Sequence, residues 1–300
     1  MRVGLQLRSD DATTVAAAAR RAEELGYDAA LVYDHVGSDS SPLLCLTAAA
    51  LATSTIRLGT FVLNASFLHP VLLARDVATL DHLSGGRVEL GLGAGHTPAE
   101  FAALGVPLAS AAERKERLAD FVGIVRRLLD GETVDHSSRW FELAGASTGR
   151  ALQDRLPILV GGSGRRLLEP AARYADMVGL TGLGRTLPDG HRHAVRFAPA
   201  VVDEEVAVVR DAASAAGREV ELNVLVQRVE ITDDREAAAA KLAARIEGLT
   251  VDDALATPFL ALGTHDEIAD HLCRAQERWG IGYFVVREAE DFAPVLAHLR

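Results

Sequence analysis

Apolar positions along the chain follow two alternating periods, and the alternation predicts the fold. A helical stripe of Val15, Ala18, Ala19, Ala22 and Leu25 ends at Gly26 and is followed by a short run of strand-forming residues. The same junction recurs and predicts eight strands, at residues 3–8, 28–33, 57–63, 87–92, 157–160, 177–181, 220–229 and 282–287. Strands that alternate with helices form right-handed βαβ units and a parallel sheet.

Eight such units in one uninterrupted chain indicate an α/β fold of the closed (β/α)8 TIM-barrel type. No linker or change of composition divides the chain, so residues 1–300 are expected to form a single domain. Two segments exceed the basic unit and are expected to be insertions. Residues 131–156 are predicted to form a hairpin excursion after strand four, and residues 182–198 a loop rich in Gly, Arg and His after strand six.

Three helix starts support this register. Ser110 and Glu113 have the spacing of a capping box, and so do Thr264 and Glu267. The run Thr97-Pro98-Ala99-Glu100 indicates an N-cap, a proline in the first turn and a capping-box acid of a short helix.

The formal net charge of −11 limits the class of partner. Nucleic acid and anionic membranes both need a basic face, so neither is expected, whereas a small phosphorylated ligand needs only a local cluster of donors. The apolar runs are too short to span a bilayer. Cys45 and Cys273 lie in apolar helix-like stretches, as reduced buried thiols do, and no signal-peptide pattern precedes the first strand. We therefore expect a cytoplasmic protein.

Polar side chains stand just past the predicted strands, where a parallel barrel brings them into one pocket. The set includes Gln6, Arg8, Asp34, His35, Asn64, His96, Thr181, Gln227, Arg228, Arg287 and Glu288. A histidine in this place can act as an acid, a base or a hydrogen-bond donor, so His35 is a catalytic candidate; a structural histidine is the alternative. His191 and His193 have H-x-H spacing but no identifiable third ligand, so no metal site is predicted.

The strongest local signal is the run Gly161-Gly162-Ser163-Gly164, which follows a predicted strand ending at Val160 and precedes a helix beginning at Arg165. Glycines let main-chain N–H groups approach a phosphate, and a helix N-terminus adds positive potential. The run therefore predicts a phosphate site, with a tight turn that only starts a helix as the alternative. It is not a serine-hydrolase elbow, because Arg165 stands where the last glycine of G-x-S-x-G belongs.

A second glycine run, Gly91-Leu92-Gly93-Ala94-Gly95, lies at the end of strand four. It is not a dinucleotide-binding fingerprint, because Pro98 occupies the third glycine position counted from Gly93. These glycines leave room either for a flat ligand across the strand end or for close packing of neighbouring strands. The pattern does not separate the two.

Four pieces of sequence together resemble a known family. They are Tyr33-Asp34-His35, the stretch from His69-Pro70 through Thr79-Leu80-Asp81-His82-Leu83-Ser84-Gly85-Gly86-Arg87, the run Leu90–Gly95 and the run Gly161–Gly164. In this order they resemble the bacterial-luciferase-like flavin monooxygenase superfamily, and within it they look most like oxidoreductases that use the deazaflavin coenzyme F420. The resemblance covers nearly the whole chain.

The resemblance implies an isoalloxazine-type ring against strands two to four, a phosphate on the glycine loop, and His35 beside the reactive carbon of the ring. It also implies a non-proline cis peptide at or next to Asn64-Ala65. The expected cofactor-binding residues are Asp34, Asn64, Ala65, Gly93, Gly95, Val160, Gly161, Gly162, Ser163, Gly164, Arg165 and Thr181.

The chain departs from part of this family in two ways. Some sugar-phosphate dehydrogenases of the group carry a glutamate after the strand-four glycines, and His96 takes that place here as the second catalytic candidate. Those enzymes also hold the substrate phosphate with lysines, and neither Lys115 nor Lys241 is expected near the barrel mouth. A sugar-phosphate substrate is therefore not expected.

Three functions are compatible with these patterns. The first is hydride transfer between F420 and a small organic substrate, with His35 or His96 handling a proton. The second is an FMN-dependent monooxygenase that uses oxygen and receives reduced flavin from a partner reductase. The third is a non-catalytic barrel that binds a flavin without turnover or has lost the cofactor, and the glycine loop and His35 argue against it. The acidic tail of F420 would suit Arg165, Arg166, Arg185 and Arg192, and the resemblance implies a homodimer.

Overall fold

A closed barrel of parallel strands forms the centre of the computed structural model, which describes residues 1–37, 40–186 and 193–300. The barrel strands are β1 (Arg2–Leu7), β2 (Ala29–Val32), β3 (Arg57–Thr60), β5 (Val88–Gly93), β8 (Ile158–Gly162), β9 (Met177–Leu180), β12 (Glu221–Leu225) and β15 (Ile281–Val286). Each pairs with the next in this order, and β15 pairs with β1. The short strand β4 (Leu63–Asn64) continues the third barrel strand and pairs with β5. The predicted α/β TIM barrel is confirmed.

Helices surround the barrel and bury their apolar faces against its outer side. They are α1 (Ala12–Leu25), α2 (Pro42–Ala52), α3 (Pro70–Ser84), α4 (Pro98–Ala103), α5 (Ala111–Leu129), α6 (Arg165–Tyr174), α7 (Pro199–Ala215), α8 (Arg235–Ala243), α9 (Val251–Ala256), α10 (His265–Trp279) and α11 (Ala289–His298). The capping boxes predicted at Ser110 and Thr264 both form. Within the described residues, no helix has the length and apolar character needed to cross a membrane.

Two antiparallel pairs lie in the segments predicted to exceed the basic unit. Strand β6 (Val134–Ser137) pairs with β7 (Glu142–Ala146), so the expected hairpin lies within 131–156. Strand β10 (Leu183–Thr186) pairs with β11 (His193–Val195) in the 182–198 segment. Residues 187–192, which include His191 and Arg192 of the sequence analysis, lie outside the described residues.

The predicted strand 220–229 was too long. Barrel strand β12 ends at Leu225, and a separate strand β13 (Arg228–Ile231) pairs in parallel with β14 (Leu260–Gly263) outside the barrel. Strand β14 and helices α8 and α9 were not predicted. Helix α8 is alanine-rich and has little amphipathic period, and the four-residue apolar run of β14 fits a buried helix as well as a strand.

Charged side chains close the N-terminal end of the barrel. The Arg2 guanidinium lies 3.2 Å from the Glu89 carboxylate and 2.7 Å from that of Glu221. The Tyr283 hydroxyl, which is fully buried, donates to Glu89 Oε1 at 2.6 Å. These polar groups, of which Glu89 and Tyr283 are buried, satisfy one another, so a ligand is expected at the opposite end, where the strands have their carboxyl termini.

Candidate active site

A hydrogen-bonded arc of side chains runs around part of the barrel mouth. Gln6 Nε2 donates to the carbonyl of Phe61 at 3.2 Å, and Arg287 Nε donates to Gln6 Oε1 at 2.8 Å. Arg287 also donates to the carbonyl of Gln227, whose side chain donates to the carbonyl of Thr181 at 3.1 Å. The arc ties together the ends of five barrel strands and gives the mouth a fixed polar rim.

His35 follows β2 and is paired with a carboxylate. Its Nδ1 lies 2.7 Å from Oε1 of Glu100 on α4, and Glu100 is only 7% exposed. Glu100 was predicted to be a capping-box acid, and this was wrong: Thr97 makes no side-chain capping bond, and the Glu100 carboxylate binds His35 instead. A carboxylate on Nδ1 fixes the orientation of the ring and favours the tautomer in which Nε2 accepts a proton.

His96 lies beside a second histidine. Its ring centroid is 4.7 Å from that of His193 on β11 and 6.2 Å from that of His35. The pKa of His96 is lowered to about 4, first because the imidazolium would lose solvation and then because His193 and His35 add positive charge, although Glu100 opposes the shift. His96 is therefore neutral at neutral pH and is a weaker proton-donor candidate than the sequence indicated.

The non-proline cis peptide lies between Phe61 and Val62. The prediction of Asn64-Ala65 was therefore wrong by three residues, because the motifs locate the end of the third strand without its register. Asn64 instead makes two local hydrogen bonds. Its main-chain N–H donates to Asp34 Oδ2 at 3.0 Å, and its side chain accepts from the main-chain N–H of Ser66. Ala65 is buried, and its carbonyl accepts a hydrogen bond from Arg117.

Neighbouring protein atoms fill the space beside the glycines at the end of the fourth barrel strand, β5. A Cβ on Gly93 would lie 2.7 Å from a methyl group of Val62, and one on Gly91 would meet the main chain of Thr60. A Cβ on Gly95 would overlap the side chain of Asn64. These glycines therefore admit the irregular end of the third strand, which is the close-packing alternative that the pattern left open.

The loop Gly161–Gly164 is held from three sides. Ser163 Oγ donates to the carbonyl of Leu183, and the Gly164 N–H donates to Oε1 of Glu205 on α7 at 3.1 Å. Gly164 has a φ of 78°, which favours glycine, and directly precedes α6. Lys115 Nζ on α5 donates to the carbonyl of Ser163 at 3.1 Å.

Lys115 corrects the expectation that no lysine lies near the mouth. The sequence did not reveal this position, because Lys115 lies on α5, which follows the fourth barrel strand β5, and its side chain reaches the loop after the fifth barrel strand β8. Desolvation lowers the pKa of its ammonium group. By contrast, Arg165 and Arg166 at the start of α6 are exposed, and the Val160 side chain is buried in the apolar cluster that includes Leu167.

Helix α5 supplies further cations to the mouth. Arg114 donates to the carbonyl of Gly95, and Arg117 donates to the carbonyls of Ala65 and Leu68. Within the described residues, no carboxylate lies within ion-pair distance of Arg114, Lys115 or Arg117. Nor does the described part of the chain contain a group of three metal-ligating side chains that could hold a metal ion.

Known proteins share this fold and parts of this sequence. A curated relative, 4-hydroxyprotoasukamycin monooxygenase of Streptomyces nodosus subsp. asukaensis, is 39% identical over 126 residues; the match covers 40% of this chain and only 33% of that protein. The crystal structure of monooxygenase RslO1 from Streptomyces bottropensis is 26% identical, with a TM-score of 0.76 and coverage of 99% of this chain and 97% of the other.

An F420-dependent secondary alcohol dehydrogenase, solved with an F420-acetone adduct, has a TM-score of 0.79 at 19% identity and covers 100% of this chain and 99% of its own, which shows the shared fold. The profile of one family, described as luciferase-like monooxygenase, matches residues 2–281. A match over nearly the whole barrel includes the His35 motif and both glycine runs. The chain therefore belongs to the luciferase-like monooxygenase family.

Proposed function

We propose that the protein is an oxidoreductase that transfers a hydride between coenzyme F420 and a small organic substrate. The observation that carries this proposal is the His35–Glu100 pair, 2.7 Å apart at the mouth of the barrel. Hydride transfer to an organic carbonyl or imine needs a matching proton, and a histidine oriented by a carboxylate is suited to hold and move one.

The residues of the mouth fit such a coenzyme. Gly161, Gly162 and Ser163 would hold its phosphate, with Lys115 as the nearby cation. Phe61 and Val62, which pack on the apolar interior of the barrel, would support the ring. When bound, F420 supplies a carbon that gives or takes a hydride. Asp34 and Asn64 would keep the third strand in position beside it.

Proton handling falls to His35 in this proposal. Glu100 holds Nδ1 and stabilises a positive charge on the ring, so Nε2 would exchange the proton with the substrate. His96 is neutral at neutral pH, and we assign it to hydrogen bonding at the same site.

The relatives support a second candidate, an FMN-dependent monooxygenase. Both the curated relative at 39% identity and RslO1 at 26% are named as monooxygenases. This function would use the same loop for the FMN phosphate, oxygen as a substrate, and a separate reductase as the source of reduced flavin.

A titration separates the two candidates. Purified protein titrated with F420, FMN and riboflavin, and followed by fluorescence, is expected to bind F420 tightly, FMN weakly and riboflavin, which lacks the phosphate, most weakly. Tight binding of FMN without F420 would transfer the assignment to the monooxygenase. If none of the three binds, the non-catalytic barrel becomes the best description.

The two cysteines support a cytoplasmic location. Cys45 and Cys273 are both unpaired. A reducing compartment leaves thiols in this state, and F420 would have to be supplied in the same compartment.

We also propose that the protein is a homodimer that pairs through α2 and α3. Four leucines on these adjacent helices are exposed: Leu44 at 73%, Leu51 at 75%, and Leu72 and Leu83 at 52% each. Helix α2 contains no charged residue, although the chain carries a net charge of −11. The exposed surface of α2 is apolar and without charge, and such a surface can meet its own copy about a two-fold axis without repulsion.

The double substitution Leu44→Lys with Leu51→Lys is expected to convert the dimer into a monomer of 31.9 kDa, because two buried cations would face two others across the axis. Light scattering after size-exclusion chromatography measures the mass. Leu108 is 45% exposed and lies outside α2 and α3, so Leu108→Lys should leave the dimer intact. A wild-type monomer, or a double variant that remains dimeric, would contradict the proposed surface.

A further inference from the structure

A buried carboxylate lies against the glycine loop, and the proposed reaction makes no use of it. Glu205 on α7 is 5% exposed, and its Oε1 accepts a hydrogen bond from the Gly164 N–H at 3.1 Å. The Arg196 guanidinium lies 3.5 Å from the same oxygen. Burial raises the pKa of the Glu205 carboxyl, whereas the Gly164 N–H and Arg196 favour the ionised form. A carboxyl group of the protein itself thus already occupies a main-chain donor of the loop.

The side chains that face this loop and its carboxylate from other elements carry two positive charges and one negative charge. Lys115 donates to Ser163, and Arg196 faces Glu205 with its Nε buried and without a hydrogen-bond partner in the described part of the chain. Arg114 donates to carbonyls of another loop, and Arg165 and Arg166 are both exposed. Two adjacent cations and one carboxylate leave about one positive charge. A singly charged phosphate would neutralise it, and a doubly charged phosphate would exceed it.

The two candidate coenzymes differ in this charge. FMN carries a phosphate monoester, whose second pKa is about 6, so it bears close to two negative charges at neutral pH. F420 carries a phosphodiester, which bears one. Repulsion from a fixed carboxylate is proportional to the charge of the ligand, so it is twice as large in free energy for the monoester.

We propose that Glu205 is a specificity-determining residue that disfavours the doubly charged phosphate monoester of FMN and admits the singly charged phosphodiester of F420. By holding the Gly164 N–H, Glu205 also withdraws a donor that an additional terminal oxygen of a monoester would use. The inference rests on the proposed function in one respect, the assignment of Gly161–Gly164 as the phosphate site.

Glu205→Gln tests the proposal, because glutamine keeps an oxygen for the Gly164 N–H and removes the charge. The measured quantities are the Kd values of F420, FMN and riboflavin for the wild type, Glu205→Gln and Glu204→Gln. The FMN affinity of Glu205→Gln is expected to rise by about tenfold or more and the F420 affinity by about threefold, with riboflavin unchanged. Glu204 is exposed on the same helix, so Glu204→Gln removes an equal charge outside the site and should change none of the three.

Equal gains for FMN and F420, or no gain for FMN in a variant with a wild-type circular-dichroism spectrum, would overturn the role of Glu205. The proposed function is judged separately, on the wild type alone. If the wild type prefers FMN, the F420 assignment fails, while a larger FMN gain in Glu205→Gln still supports the inference. If neither protein binds a phosphorylated coenzyme, both fall.

Discussion

Replacing His35 by alanine is expected to lower kcat by about 10²–10⁴-fold, the usual contribution of a positioned acid–base group. The Kd of the coenzyme should change little, because the phosphate loop and the apolar support under the ring do not involve this side chain. Steady-state turnover and fluorescence titration on the same preparation measure the two effects. His82→Ala removes an exposed histidine on the outer helix α3 and should leave both unchanged.

Glu100→Gln separates orientation from charge in the same pair. Glutamine can still hydrogen-bond to His35 Nδ1 but lacks the negative charge that stabilises an imidazolium, so a smaller loss of kcat of about tenfold is expected. If instead coenzyme binding disappears in folded His35→Ala, His35 is a ligand contact and another group handles the proton.

Gly162→Asp is expected to weaken coenzyme binding by about two orders of magnitude. A carboxylate ~5 Å from the phosphate costs about 3 kcal/mol at an effective dielectric constant of about 20. Riboflavin, which has no phosphate, should lose far less affinity, so titrations with the phosphorylated coenzyme and with riboflavin isolate the electrostatic effect.

Gly162→Ala is the matched control for this substitution. A Cβ at this position would lie 2.6 Å from a methyl group of Leu167, a flexible side-chain tip that both variants must displace. The difference between the alanine and aspartate variants therefore reports the added carboxylate group, and the riboflavin titration separates its charge from its bulk. Equal coenzyme affinity in the two variants would show that the phosphate binds elsewhere.

The barrel itself could be predicted because each of its units is local. Apolar periods, glycine turns and capping residues lie within about 30 residues of one another, and they locate every barrel strand to within a few positions. The errors occurred where local patterns are ambiguous. Strand β14 is four apolar residues long, and Phe61-Val62, which holds the cis peptide, has no distinguishing residue type.

The chemistry of the site was less predictable because its contacts join distant segments. His35 and Glu100 are 65 residues apart, Lys115 and Ser163 are 48 apart, and Gly164 and Glu205 are 41 apart. The spacing of Thr97 and Glu100 also matches a capping box. This local explanation for the glutamate left no reason to expect its bond to His35. Only the order in which strands and helices close the barrel brings these pairs together.

The ion network of Arg2, Glu89, Glu221 and Tyr283 fills the N-terminal end of the barrel, so within the described residues the ligands of the proposed function would share the entrance at the opposite end. Two ligands that share one entrance cannot exchange independently. The ligand that lies deeper would have to bind first and leave last, so we expect an ordered binding sequence for any substrate that enters at the rim. At high substrate concentration, a second substrate molecule at the rim would delay release of the coenzyme beneath it, so substrate inhibition is the expected kinetic result.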